Sequence, residues 1–302
     1  MTGSWAARDL HGAAAGMAAI CRAADGDDDR DRLAYVAMYA GRFTGRGRGL
    51  DVYRACAQRL RDDDFVRSLF GAVSDTVEVH GWKVVGHDHD RILIEKDGMA
   101  AFVMANELTG GSGSDVVTFR SPVLRVGMLP GFVVRTGREA LVDRALLSRL
   151  YVSVKAPAAS WALGPLARRL DADGVPFEMK VIANTQSYLR HDACVVYVAS
   201  SDEERAIGLV VEATSAAPGA VHARGPRLTG PVGTGVSLAH EPSDVSSEGI
   251  SHGQWVASLF GQAARHSSVP PIIAARVRAL IIEAGRDPSR PHLRAPAARG
   301  VA

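Results

Sequence analysis

An α+β fold is predicted from two features of the sequence. Hydrophobic periodicity is helical over the first 75 residues and switches to a period of two from Val77. The strand-like runs that follow are linked largely by short turn-like segments, which suits antiparallel pairing, and helical stretches return towards the C-terminus. The expected architecture is a helical N-terminal region followed by a mixed or antiparallel sheet with flanking helices. The expected division is 1–76 helical, 77–285 α+β domain, and a Pro- and Arg-rich tail over 286–302 expected to be disordered.

Residues 5–23 are Ala-rich with helical spacing. The acidic run DGDDDRD at 25–31 can cap a helix from about Arg32 to Ala40, and further helices are expected near 50–61 and 63–75. GRFTGRGRG at 41–49 is read as an exposed basic loop, because no strand precedes it as a phosphate loop requires. VEVHGWKVVG, RILIEKDG and MAAFVMANEL then alternate as successive antiparallel strands. HDHD at 87–90 falls at a hairpin tip, and no other ligand cluster completes a metal site around it. TGGSGSD at 109–115 is a loop by composition.

VVTFRSPVLRVGMLPGFVVRTG is a strand pair broken at LPG, and REALVDRALLSRL a short helix. WALGPLARRLDADG is a helix ending at Gly174, with Pro165 marking its start. A strand is expected at 207–212, GPVGTGVSLA at 230–239 reads as a loop, and helices are expected near 252–265 and 270–284.

Composition excludes several classes. Lys and Arg number 35 against 33 Asp and Glu, so no global field draws nucleic acid or membrane, and any anion site must be a local cluster. Cys21, Cys56 and Cys194 have neither paired nor metal-ligand spacing, which fits a reducing cytoplasm. No apolar run approaches the ~20 residues of a membrane span. Phosphate-loop, GxSxG, HExxH and kinase signatures are absent.

The chemistry concentrates between Arg149 and Ser200. In RLYVSVK, Leu150, Val152 and Val154 share one strand face, and Arg149, Tyr151, Ser153 and Lys155 share the other. In PFEMKVI, Phe177, Met179 and Val181 are the apolar face and Lys180 points oppositely. This describes a polar site laid on a packed sheet. Arg190 and Tyr197 have opposite parity, so Arg190 should precede the last strand or a bulge should intervene.

RLYVSVK, VPFEMKV and YLRHDACVVYV resemble successive motifs of the HopA effector-like family. FRSPVLRVGMLPGFVV at 119–134 is similar to the segment preceding them, and PRLTGPVGTGVSLAHEP at 226–242 to a later one. Proteins of this type occur as bacterial effectors and as the lyase-like subunit of class V lanthipeptide synthetases. The resemblance implies a fold like that of the phosphothreonine lyases, and an activity in which a lysine removes a Cα proton and phosphate departs. It implies Lys180 as the base, with Tyr151 where those enzymes have a histidine and Tyr197 as a further catalytic tyrosine. It implies Arg149 and Arg190 as phosphate ligands, and Lys155 and Arg120 are added as candidate phosphate ligands. The family's later arginine motif stands here only as ISHGQW at 250–255.

β-Elimination suits these residue types. Lysine serves as a base only when neutral, which burial and neighbouring arginines favour; Glu178, on the same face, opposes it. Arginine binds a phosphate dianion through two parallel N–H donors. The implied substrate is a phosphorylated precursor peptide recognised together with its leader, the implied partner a separate kinase subunit, and no metal or organic cofactor is required. A non-catalytic scaffold with a degenerate pocket, and an effector acting on a host phosphoprotein, are the alternative readings.

Overall fold

A computed structural model describes residues 3–21, 34–35, 61–96, 99–111, 115–141, 146–241 and 250–294. The fold is α+β, and among the described strands every pairing is antiparallel. Five strands, β1 (Thr76–Asp88), β2 (Arg91–Lys96), β3 (Met99–Met104), β4 (Leu108–Gly110) and β5 (Val116–Pro122), form a sheet ordered β3-β2-β1-β5-β4. Seven more form the principal sheet: β6 (Leu124–Val126), β7 (Phe132–Thr136), β8 (Leu147–Val152), β9 (Phe177–Ile182), β10 (Cys194–Ala199), β11 (Gly230–Gly233) and β12 (Val236–His240). Their order is β11-β12-β8-β10-β9-β7-β6.

Helices cover both faces of the principal sheet. On one face Leu150, Val152, Met179, Val181, Val196 and Val198 pack with helices α2 (Asp63–Ala72), α3 (159–172) and α4 (Glu203–Ala216). On the other, Tyr151, Val195 and Ala239 pack with α1 (Gly3–Cys21), α5 (His252–Ala264) and α6 (Pro270–Glu283). Burial on both faces explains why β10 (CVVYVA) reads as a near-continuous apolar run. Removing each such side chain from water contributes about 1.5–3 kcal/mol. The helices α1 and α2 thus lie on opposite faces of the sheet.

Local chemistry sets the helix ends. Asp62 caps α2 by accepting from Phe65 N–H at 3.1 Å, and Asp63 and Asp64 favour its positive N-terminus. In α3 the start lies before Pro165. The helix begins at Ala159 and absorbs the proline in a π-helical turn, Ala162–Leu166. Arg135 donates to the Leu163 carbonyl in that turn at 2.6 Å, and to Asp75 and Asp171 at 2.9 Å each. Gly174 closes the segment at φ +65°, where a side chain would be strained.

Several sequence expectations hold: the strands from Thr76, the helix at 63–72 and the two C-terminal helices. Others are corrected. The expected strand at 207–212 is part of helix α4, because Ala206, Val210 and Ala213 recur at helical spacing and bury against the sheet. The expected loop at 230–239 is the hairpin β11–β12, turning at Thr234–Gly235 with Gly235 at φ +68°. The expected pair across 116–136 is split. Strand β5 joins the smaller sheet, and β6–β7 forms an edge hairpin of the larger.

Of the expected helix over 138–150, the described residues 138–141 are non-helical and 147–150 are strand. Asp171 holds the Arg138 N–H there at 2.7 Å. Residues 286–294 of the expected disordered tail are ordered. Arg286 stacks on Trp255 at 4.5 Å, His240 N–H donates to the His292 carbonyl at 2.8 Å, and Arg294 N–H donates to His240 Nδ1 at 3.1 Å. His240 Nε2 meets Glu203 at 2.7 Å, so these contacts bind the segment to β12 and α4 despite its composition. The expected basic loop at 41–49 and the helix near 50–61 lie outside the described residues, 61 excepted.

Candidate functional site

Strands β8, β10 and β9 are buried almost throughout, and their partly exposed positions fall side by side. Arg149, Tyr197 and Glu178 form one cross-strand row, and Lys180 stands on the next row, opposite Val195 and Val134. All point to the face carrying Tyr151.

Lys180 Nζ lies 4.6 Å from the ring centroid of Phe132 and 5.4 Å from that of Tyr197. Among the described residues it has no hydrogen-bond or ion-pair partner. Phe132 is presented by the turn at Leu129–Pro130–Gly131, where Phe132 N–H donates to Leu129 O at 3.1 Å and Gly131 takes φ +79°. Aromatic faces attract the ammonium through their quadrupole but supply no acceptor for its protons.

Arg149 packs its guanidinium over the other neighbour of that strand pair, with Cζ 4.9 Å from the Tyr197 centroid. It donates to Glu241 Oε1 through Nε at 2.7 Å, and also through a terminal nitrogen. Burial opposes its charge, but Tyr197, Tyr151 and Glu241 outweigh burial and raise the guanidinium above its ordinary range.

Arg190 precedes β10, the first of the two placements its parity allows. It ends a 3-10 turn, Thr185–Leu189, that Asn184 caps from Ser187 N–H at 2.9 Å. Tyr188 anchors the turn through Ile182 O at 2.8 Å and an edge-to-face contact with Phe65. Arg190 donates to both oxygens of Asp192, at 2.8 and 2.6 Å, and Asp192 is only 3% exposed. The pair is therefore a largely buried fork and not a solvated surface ion pair. Tyr35 adds its ring 5.6 Å from Arg190 Cζ and its hydroxyl 3.4 Å from Asp192.

The structure brings Lys180, Tyr197, Arg149, Tyr151 and Arg190 to one side of one sheet. Two proposed ligands are placed elsewhere. Strand β8 ends at Val152, so alternation no longer governs Lys155, whose Nζ donates to Gly219 O at 3.0 Å. Arg120 is exposed on β5, opposite Glu78 in the smaller sheet. Sequence reasoning did not single out Tyr35, Phe132 or Glu241. Phe132 and Glu241 lie within the two flanking motif segments, and no signal marked Tyr35.

His252, the histidine of ISHGQW, is fully buried and donates to Leu228 O at 3.1 Å. Burial, then Arg286, lowers its pKa to about 3, so it is neutral near pH 7 and serves the packing of α5. Among the described residues no group of three His, Cys, Asp or Glu is placed to hold a metal ion. No described helix is long and apolar enough to cross a membrane.

The chain is similar to two solved effector-protein structures. One is from Pseudomonas syringae pv. tomato strain DC3000, with 20% identity over 55% of this chain and 63% of that one, at TM-score 0.42. The other is from Pseudomonas syringae pv. syringae strain 61, with 20% identity over 55% and 63%, at TM-score 0.44. The match thus spans less than two thirds of either structure's chain. No curated protein matches the chain. The model of the HopA1 effector protein family matches residues 126–293, more than half of the 302 residues, and includes the whole row of site strands. The chain belongs to the HopA1 effector protein family.

Proposed function

We propose that the protein is a phosphoserine or phosphothreonine lyase acting on a phosphorylated precursor peptide, made by a separate kinase, in lanthipeptide biosynthesis. The observation that carries this reading is the Lys180 amine, held between two aromatic rings with no acceptor among the described residues, with Arg149 on the far side of β10 and Arg190 just before β10. In its neutral form Lys180 takes the Cα proton. The Cα electrons form the Cα=Cβ bond, the Cβ–O bond breaks, and phosphate leaves with that electron pair. Arg149 and Arg190 stabilise the departing phosphate, and Tyr151 or Tyr197 donates a hydrogen bond to the leaving oxygen. No redox change occurs, and no cofactor enters the balance.

One observation favours a second reading. Both arginines hold a carboxylate, Glu241 on Arg149 and Asp192 on Arg190, which suits a pocket retained for binding without turnover. A phosphothreonine peptide incubated with protein and followed by mass spectrometry separates the two. Loss of one phosphoric acid by the wild type, abolished in Lys180→Met, supports the lyase. Intact phosphopeptide that nevertheless binds supports the scaffold, and neither turnover nor binding, with the kinase added, overturns both.

A further inference from the structure

We infer that Tyr35 is a positioning residue for Arg190, by which the N-terminal segment builds one wall of the proposed anion site. The positioning stands on the geometry alone; the phosphate it would serve rests on the lyase reading.

Arg190 emerges from the end of a short turn, and nothing in its own backbone fixes the direction of so long a side chain. Asp192 fixes one edge of the guanidinium through Nε and a terminal nitrogen, at 2.8 and 2.6 Å. An edge contact still allows the plane to rotate about the paired axis. The Tyr35 ring, 5.6 Å from Cζ, adds a restraint on the face. Its hydroxyl, 3.4 Å from Asp192 Oδ2, reaches the carboxylate that holds the edge. One side chain therefore touches both members of the pair.

The charges of Asp192, Arg190 and Arg149, and the hydroxyl of Tyr151, all bear on the Tyr35 phenol. Burial first, and Asp192 second, hold that phenol protonated well above its ordinary range. It therefore acts as a donor and a platform, never as a base. Tyr35 lies before residue 126, outside the segment that matches the family model, so this wall belongs to the chain's own N-terminal part. The neighbouring helix α1 packs into the same core as Tyr151, which anchors the N-terminal part to the sheet.

The test reads Arg190 directly, by solvent exchange of its Nε–H in nitrogen-15 NMR, with the signal assigned by its loss in Arg190→Lys. Tyr35→Leu preserves bulk but removes the π face, whereas Tyr35→Phe keeps the ring and removes only the hydroxyl. Exchange of Arg190 Nε–H should quicken about fivefold or more in Tyr35→Leu and stay within about twofold in Tyr35→Phe. Backbone amides of β10 should exchange unchanged in both, which separates positioning from loss of fold. Calorimetry with inorganic phosphate adds a second readout: Tyr35→Leu should weaken binding, and the loss should vanish in an Arg190→Lys background. Wild-type exchange rates in Tyr35→Leu, or additive losses in the double variant, overturn the proposal. Absence of phosphate binding by the wild type counts against the lyase reading, and the exchange rates then decide the role of Tyr35 alone.

Discussion

Lys180 and Arg149, carried on the two strands that flank β10, both set their cationic groups over the ring of Tyr197, at 5.4 and 4.9 Å from its centroid. Two positive groups that would repel one another share one electron-rich surface. The ring keeps them on one face of the sheet while leaving the Lys180 protons without an acceptor among the described residues.

This relationship predicts that the ring of Tyr197 matters more than its hydroxyl. Tyr197→Phe should retain elimination within about threefold, whereas Tyr197→Leu should lower it about tenfold or more. Initial rates on a phosphothreonine peptide measure both. A larger loss in Tyr197→Phe would instead make the hydroxyl a proton donor.

Glu241 competes with any anion for Arg149, from which a single carboxylate oxygen accepts two hydrogen bonds. Glu241→Gln removes that charge while keeping the shape, so affinity for inorganic phosphate should rise about fivefold by calorimetry. Unchanged affinity would mean that phosphate does not engage Arg149.

Arg135 sits 1% exposed between Asp75 and Asp171, away from the row of site residues. Replacing it by Met leaves buried Asp171 without its cation and should cost about 3–5 kcal/mol of stability. Chemical denaturation measures the loss. Phosphate affinity of the folded fraction should stay at the wild-type value, because Arg135 faces α3 on the opposite side of the sheet.

Acid should destabilise the protein before its carboxylates titrate. Burial lowers His252 to about 3 and His292 to about 4, against an ordinary 6.5. Below pH 6.5 the unfolded chain takes up protons that the folded chain refuses, so stability falls as pH drops from about 6.5 towards 4. Asp75 and Glu203 add a later loss: despite burial, Arg135 holds the first below 3.8 and His240 the second below 4.5, so their contribution fades below those values. Thermal midpoints across this range should fall less steeply in His252→Gln, which keeps a donor for Leu228 O. An equal slope in that variant would place the acid sensitivity elsewhere.

Much of the site was legible in the residues themselves. Alternation in RLYVSVK and PFEMKVI set Arg149, Tyr151 and Lys180 against the apolar face, because a strand offers only two sides. Opposite parity left Arg190 either before β10 or beside a bulge, and the structure puts it before the strand. The same rule failed for Lys155, since alternation holds only while the strand continues and β8 stops at Val152. It misled for 207–212 as well, where burial of one helical stripe outweighed β-branched content.

The sequence by itself determined the periodicities, and hence which side chains could share a face. Only the tertiary structure decided which strands are neighbours. Placing β10 between β8 and β9 puts Tyr197 beside both Arg149 and Lys180, and sends Arg120 to another sheet. Glu241, 92 residues from Arg149, and Tyr35, 157 from Asp192, join the cluster through pairings that no local pattern encodes. Alternation is a property of one strand, whereas adjacency comes from burying several at once, so the faces could be read and the neighbours could not.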